Sequence, residues 1–283
     1  MQKDTPTLTD ERINGYARYL YEREGAVRTI QKYTHDLRTL MDWLDGRPFT
    51  KQTLMEWKEE LTLTHAPASV NVMLAAVNGY LDYWKWNGLR LRPLRLQQSL
   101  FRDEEKELTK GEYARLVSAA QQQGEHRLCL VIQTICATGI RVSELKFITV
   151  EAVELGRAEV SNKGKRRTVF LPHNLQRLLQ AYLQAKKITA GAVFVSRSGK
   201  PLDRSNVWRD MKALCESAGV EAAKVFPHNL RHLFARTYYA MEKDLSRLAD
   251  ILGHSSVNTT RIYTAESGLT HAQQMERLGL IIT

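Results

Sequence analysis

Apolar residues recur at helical spacing in four successive segments of the first 88 residues, and turn signals separate these segments. The second segment is representative, because Ile30, Leu37 and Leu44 lie along one stripe and a turn at 45–48 ends it. The fourth begins near Ser69, a suitable N-cap residue, and ends at Asn87. This periodicity predicts a small all-helical domain over residues 1–96.

A basic, proline-broken stretch follows at 90–95, and the polar residues 97–107 are typical of a linker. Thr109 and Glu112 then form a capping-box signature that opens a second domain over residues 108–271. Helices are predicted at 126–137, 173–187 and 203–218. Short β-like runs at 152–155, 158–161 and 168–171 predict a small antiparallel sheet, and a further strand is predicted at 192–195. The expected fold is mainly α with a small antiparallel β-sheet, a helical domain preceding an α+β domain.

The C-terminal tail, residues 272–283, ends in the apolar run 278–282. Chain termini usually fray unless they dock on a surface. The tail therefore either folds back on its own domain or packs in trans on a neighbouring subunit.

The net charge of +10 and the isoelectric point near 9.5 indicate a polyanionic partner, for which nucleic acid is the first candidate. Three scattered cysteines lack the spacing of a disulfide framework or a structural metal site. The sequence contains neither a membrane-spanning apolar run nor a signal-peptide core, so we expect a cytoplasmic protein without a membrane partner.

One late stretch sets titratable groups among leucine, phenylalanine and alanine. His228, Arg231 and His232 lie within five residues, and His254 and Tyr263 follow downstream. Charged groups lie against a core only when an anion meets them, and the fork of an arginine matches phosphate oxygens. The tyrosine hydroxyl could then be an attacking group.

Two upstream features admit two interpretations each. Arg141 and Glu144 lie in an apolar turn, where they form either a buried ion pair or a phosphate ligand held by its neighbour. The basic hairpin tip at 163–167 is either a solvated loop or part of a nucleic-acid contact.

Several motifs in the second half occur in a characteristic order: ATGIRVSEL at 137–145, a hairpin lysine, HNLRH at 228–232, LGH at 252–254 and then Tyr263. In this order and spacing the second half resembles the tyrosine recombinase, or phage integrase, family. The resemblance implies a helical core-binding (SAM-like) domain before the catalytic domain, in a layout closest to the simpler Xer-like recombinases.

The resemblance also implies a role for each motif residue. Arg141 and Arg231 would clamp the scissile phosphate, Tyr263 would attack it, and His228 and His254 would complete the pocket. The reaction would be DNA cleavage and religation through a 3′-phosphotyrosyl intermediate, without metal, cofactor or ATP. The partners would be double-stranded DNA with a specific site and a homo-oligomer, expected to be a tetramer, or a related recombinase subunit.

Three further roles follow from the same resemblance. Lys163 would protonate the leaving 5′-oxygen, although the hairpin turn is one residue short and Lys165 competes for this role. Glu144 would position Arg141, and His232 would be structural.

DNA-contacting residues are predicted only as a group, because phosphate and base contacts look alike at the level of sequence. The candidates are Arg28, Lys32, Asn71 and Asn78 in the helical domain, and Lys165, Arg166, Arg167, Arg204, Asn206 and Arg209 in the second domain. The DNA target, any accessory proteins, and the choice between mobile-element integration or excision and replicon dimer resolution stay open at this point.

Three rival functions fit the sequence less well. A zinc hydrolase would use His228 and His232 with His254, but the motif lacks a glutamate base and Arg231 would repel a cation. A non-catalytic DNA-binding protein would lack a member of the motif set. An enzyme that only nicks and reseals DNA, such as a type IB topoisomerase or a telomere resolvase, fits the compact two-domain length less well.

Overall fold

The chain divides into two units, Met1–Gln98 and Ser99–Thr283. The computed structural model describes residues 5–96, 104–162, 164–196, 198–263 and 276–278. Most of the predicted tail and the whole of Lys163 lie outside the described residues. No helix within the described ranges is both long and apolar enough to span a bilayer.

The described part of the first unit, residues 5–96, contains four α-helices, as the periodicity predicts. They are α1 (Asp10–Glu22), α2 (Val27–Leu44), α3 (Lys51–Thr64) and α4 (Pro67–Tyr83), followed by a 3₁₀ turn at Asn87–Leu89. Trp57 and Tyr80 are the largest apolar side chains in its core. The prediction of Ser69 as the N-cap of α4 is wrong, because Pro67 occupies the first helical position, where its missing N–H costs nothing.

An extended segment at 90–94 is fixed along the first unit by side chains of α3 and α4. The Asn78 amide donates to the carbonyl of Leu91 and accepts from its N–H, both at 2.8 Å. Asn71 pairs with Leu94 in the same way, at 2.9 and 2.7 Å. Two α3 side chains donate to carbonyls of the same segment: Lys51 to Arg90 and Lys58 to Arg92. We call residues 90–94 the strap.

The second unit is built around the apolar helix α6, which contacts α5, α8, α9 and α11. Its helices are α5 (Lys110–Gln122), α6 (His126–Thr138), α7 (Val150–Leu155), α8 (His173–Lys186), α9 (Arg204–Ala213), α10 (Cys215–Ala218), α11 (Pro227–Glu242), α12 (Leu245–Leu252) and α13 (Val257–Thr260). Thr109 and Glu112 form the predicted capping box of α5. Short 3₁₀ turns lie at Glu104–Lys106, Val142–Phe147, Ala222–Lys224 and Arg261–Tyr263.

The sheet is one antiparallel hairpin of β1 (Arg157–Asn162) and β2 (Lys165–Phe170). The predicted strand at 152–155 is wrong: it belongs to α7, because Thr149 caps its N-terminus and Gly156 its C-terminus. At 192–195 the described chain forms only isolated bridges rather than a strand. The predicted helix at 203–218 is interrupted at Leu214, between α9 and α10.

The residues just before α5 pack on the second unit. Asn229 of α11 donates to the carbonyl of Lys106 at 3.1 Å, and Leu108 is fully buried. Arg236 pairs with Glu107 and donates to the carbonyl of Leu108. Lys106 and Glu107, which belong to the predicted linker, are thus anchored to α11.

Candidate active site

Arg231 lies at the centre of the site, on the second turn of α11, with only 1% of its surface exposed. Its guanidinium donates to the carbonyls of Gly139 and Leu252, the latter at 2.6 Å. These carbonyls end α6 and α12, where helix dipoles place partial negative charge. Burial, followed by the charge of Arg141, lowers the pKa of Arg231 to about 10, so the group stays cationic at neutral pH.

The two helix ends that hold Arg231 both depend on glycine. Gly139 and Gly253 adopt positive φ angles of +65° and +63° as C-caps of α6 and α12. A Cβ atom at Gly139 would lie 2.5 Å from the ring of Phe234. Only glycine therefore fits both the backbone conformation and the space at this position.

Glu144 is the buried carboxylate of the site, with 1% of its surface exposed. It accepts from the backbone N–H of Arg141 at 2.9 Å and from the Arg141 guanidinium at 3.0 Å. Arg167 donates to both of its oxygens, each at 2.8 Å. Burial opposes ionisation of Glu144, but the bonds from Arg167 and Arg141 outweigh it and lower the pKa to about 2. The structure thus brings Glu144 against Arg141, as the resemblance implies.

Arg167, one of the predicted DNA-contact candidates, is bonded inside the site. Besides its two bonds to Glu144, it donates to the carbonyl of Ile251 at 3.0 Å, and 13% of its side chain is exposed. Strand alternation could have indicated this, because Arg167 pairs with the buried Val160 and lies two residues from the buried Val169. Arg167 therefore connects β2 to the carboxylate that holds Arg141.

His254 follows the C-cap of α12 and makes two side-chain contacts. Its Nε2 lies 3.1 Å from Nη2 of Arg231, and its Nδ1 lies 2.8 Å from the hydroxyl of Thr260. Burial and then the charges of Arg231 and Arg141 lower the pKa of His254 to about 4. The imidazole is therefore neutral at pH 7.

Tyr263 is 5% exposed and packs between two histidine rings. Its ring is nearly parallel to that of His254, with centroids 6.3 Å apart, and perpendicular to that of His232 at 5.1 Å. Burial raises the pKa of Tyr263, while the charge and hydrogen bond of Arg231 oppose this rise. In the DNA-free protein the phenol is therefore protonated, with cationic groups close to its oxygen.

His228 and His232 form a second ring pair, one turn apart on α11 with centroids at 4.4 Å. Burial is the main cause that lowers the pKa of both, to about 4 for His232. Arg231 and Arg204 further lower the pKa of His228, which places the Arg204 charge near this edge of the site. The Nε2 atom of His232 is buried without a hydrogen-bond partner among the described residues.

A basic cleft of about 550 Å³ opens beside these groups. Its walls come from the 3₁₀ turn, the hairpin and the chain after α12: Arg141, Lys165, Arg166, Arg167, Asp250, Gly253, His254, Ser255 and Thr259. Lys165, at the start of β2, thus lies at the cleft. Lys163, the predicted catalytic lysine, is outside the described residues. The arrangement can hold an anion between Arg141, His254 and the hairpin.

The remaining DNA-contact candidates are dispersed. Lys32 forms an ion pair with the buried Asp36 of α2, and the Asn71 and Asn78 amides are bonded to the strap. Arg28 is exposed on α2 and Arg204 on α9. Asn206 and Arg209 border a separate cleft of about 460 Å³. Within the described part of the chain, no group of three or more histidine, cysteine or carboxylate side chains could hold a metal ion.

Comparisons with known proteins identify the family of this chain. A family model described as the phage integrase family matches residues 106–268, more than half of the chain. The chain therefore belongs to the phage integrase family, whose members are the tyrosine recombinases.

Its relatives within that family include tyrosine recombinases of the Xer group. The tyrosine recombinase XerD of Xanthomonas campestris is 30% identical over 90% of this chain and 87% of its own length. XerD of Vibrio cholerae is 29% identical over 86% and 87%, respectively, and XerA of Pyrococcus furiosus is 27% identical over 97% and 96%. The predicted enzyme class, a tyrosine-type site-specific recombinase, is confirmed.

Solved structures confirm the predicted fold class. XerH recombinase in a post-cleavage complex superposes with a TM-score of 0.72 at 20% identity, covering 97% of this chain and 85% of that one. A lambda integrase tetramer bound to a Holliday junction gives a TM-score of 0.72 at 19% identity, covering 92% and 78%.

Proposed function

We propose that this chain cuts and rejoins double-stranded DNA at a specific site through a 3′-phosphotyrosyl intermediate. The observation that supports this most strongly is the buried Arg231, whose charge is held by helix carbonyls and lies beside Tyr263. Carbonyl groups bind the Arg231 guanidinium without neutralising its positive charge. That charge therefore remains available to an incoming phosphate.

Arg141 and Arg231 would bind the non-bridging oxygens of the scissile phosphate. These oxygens gain negative charge in the pentacoordinate transition state, so fixed cations stabilise that state more than the ground state. Glu144 and Arg167 hold Arg141 through the bonds at 3.0 and 2.8 Å described above. The arginines are therefore ordered before DNA arrives.

Tyr263 would attack phosphorus and form the phosphotyrosyl bond while the bond to the 5′-oxygen breaks. Its raised pKa means that the phenol must lose its proton during attack, and a neutral histidine is a suitable acceptor. His228 lies close enough to Arg231 for that charge, after partial desolvation, to lower its pKa, so it is neutral and able to accept that proton at pH 7. The phosphotyrosyl bond then conserves the bond energy for religation, so the reaction needs no ATP.

The proposed partners follow from the relatives. XerH was solved on its difH substrate and lambda integrase as a tetramer on a Holliday junction, so we propose specific duplex DNA and a DNA-bound tetramer for this chain. We place the reaction in the cytoplasm. It serves either mobile-element integration and excision or replicon dimer resolution, which use the same chemistry.

The decisive experiment is covalent trapping. Target duplexes would be selected from random DNA with the Tyr263→Phe variant and resynthesised with a 5′-bridging phosphorothiolate, whose thiolate leaving group religates poorly. The wild-type chain should form a covalent adduct and Tyr263→Phe should not, whereas the exposed control Tyr21→Phe should react normally. An adduct that persists in Tyr263→Phe refutes the proposal.

The same substrate separates the two candidate lysines. A thiolate leaves without a proton, so loss of the general acid should slow cleavage of the ordinary 5′-oxygen substrate and spare the phosphorothiolate. We propose Lys163 as this acid, so Lys163→Ala should show the rescue. Lys165, at the cleft, would then act as a phosphate contact, and Lys165→Ala should weaken binding to both substrates equally. The reverse pattern would transfer the role to Lys165.

A further inference from the structure

Thr260 is a fully buried polar residue that the proposed reaction leaves without a role. Its hydroxyl lies 2.8 Å from Nδ1 of His254. It is the last residue of α13 and precedes the 3₁₀ turn that carries Tyr263 by one position. The hydroxyl therefore links the histidine of the site to the segment bearing the nucleophile.

The contacts of His254 define its protonation in the DNA-free protein. Arginine nitrogens can only donate, so Nε2, 3.1 Å from Nη2 of Arg231, must accept. A neutral imidazole then carries its hydrogen on Nδ1 and donates it to Thr260. A doubly protonated ring would lose the bond to Arg231, in agreement with the low pKa of His254.

A bound phosphate would require the opposite tautomer of His254. An ionised phosphodiester offers only acceptors, so His254 contributes to binding only when Nε2 carries the hydrogen. The ring then stays neutral if the Nδ1 proton leaves to water and another binds Nε2. Nδ1 becomes an acceptor, and its partner must now donate.

We propose that Thr260 is a positioning residue whose hydroxyl serves both tautomers of His254, accepting from Nδ1 before DNA binds and donating to it once phosphate occupies the site. This inference rests on the proposed function. A hydroxyl is suited to the task because it both donates and accepts, whereas a carboxylate would hold the hydrogen on Nδ1 and favour the cation.

The tautomer is measured directly by ¹⁵N NMR of the imidazole nitrogens. In the free protein, His254 should show a protonated Nδ1 and a bare Nε2. In the complex of Tyr263→Phe with its selected duplex, which cannot react, the pattern should invert. An identical tautomer in both states overturns the inference, whatever any Thr260 variant does.

The variants test the hydroxyl itself. Thr260→Val keeps the shape and removes both hydrogen-bond functions, so we expect mixed tautomers and a cleavage rate about tenfold to a hundredfold lower at saturating DNA. Thr260→Ser should restore both readouts. Thr134→Val is the matched control, because Thr134 is equally buried and donates to a carbonyl of its own helix, α6.

The outcomes separate this inference from the function on which it rests. If Thr260→Val cleaves DNA at the wild-type rate and shows the wild-type tautomers, the proposed role of Thr260 is wrong. The proposed function still stands in that case, provided that Tyr263→Phe forms no adduct. If Thr260→Val loses stability but keeps the wild-type tautomers, Thr260 is only a structural residue. That result also overturns the inference. If Tyr263→Phe forms the adduct, the proposed function itself fails.

Discussion

The buried carboxylate of Glu144 allows a quantitative prediction. Its pKa is about 2 in the folded protein against an ordinary value of 4.5. At about 1.36 kcal/mol per pKa unit, ionised Glu144 contributes about 3 kcal/mol to the free energy of unfolding at pH 7. Glu144→Gln should therefore cost about 3 kcal/mol, near the lower end of the roughly 3–5 kcal/mol for removing one partner of a buried ion pair.

The pH dependence has a defined sign. Because the folded pKa is lowered, the contribution is complete above pH 4.5 and is lost as the pH falls towards 2. The stability difference between the wild type and Glu144→Gln should shrink to about 2 kcal/mol at pH 3.5. It should not change between pH 6 and pH 8.

Cysteine reactivity is a suitable assay for this unit. All three cysteines belong to the second unit, and Cys129 and Cys215 are buried. Urea titrations with a brief pulse of a dipyridyl disulfide, which reacts at acid as well as neutral pH, therefore report unfolding of that unit alone. The exposed neighbour Glu154→Gln is the control and should match the wild type. A Glu144→Gln cost below about 1 kcal/mol at pH 7, or one independent of pH, would refute the reasoning.

Three further predictions concern other parts of the structure. Gly139→Ala should destabilise the second unit by about 2 kcal/mol or more, because its Cβ would lie 2.5 Å from Phe234; cysteine labelling measures this, and a neutral substitution would contradict it. Asn78→Asp should destabilise the first unit by about 1–3 kcal/mol, since the donor to the Leu91 carbonyl is lost; tryptophan fluorescence in urea reports the change, and an unaltered midpoint would count against the strap. In the DNA-free protein, His254 should titrate near pH 4, so acidification from 6.5 to 4 should lower stability; an NMR midpoint at or above 6.5 would exclude this.

The helical first unit could be predicted because its signal is local, whereas the candidate site residues were proposed from the resemblance of several separate motifs to one family. Helical periodicity is local, and the motif around Arg231 lies within one helix. The partners of Arg231 are not local: they are main-chain carbonyls of Gly139 and Leu252, which every residue possesses. No side-chain pattern could have indicated that two helix ends meet there.

The distant partners of some polar residues could not be predicted from the sequence. The amides of Asn71 and Asn78 bond residues that lie 23 and 13 positions later in the chain. Arg167 is one of several consecutive basic residues, and only its strand register distinguishes it from Arg166. In each case the deciding contact forms between segments, after the local structure is set.

The strap also sets the length of the chain that joins the two units. Leu94 is fixed to the first unit and Lys106 to the second, so the connecting chain is short, about 12 residues, and spans at most roughly 40 Å. A tether of this length keeps each unit at an effective concentration in the millimolar range near the other. For the DNA-bound chain proposed above, binding of one unit to a duplex would therefore make binding of the second unit to the same duplex an intramolecular event.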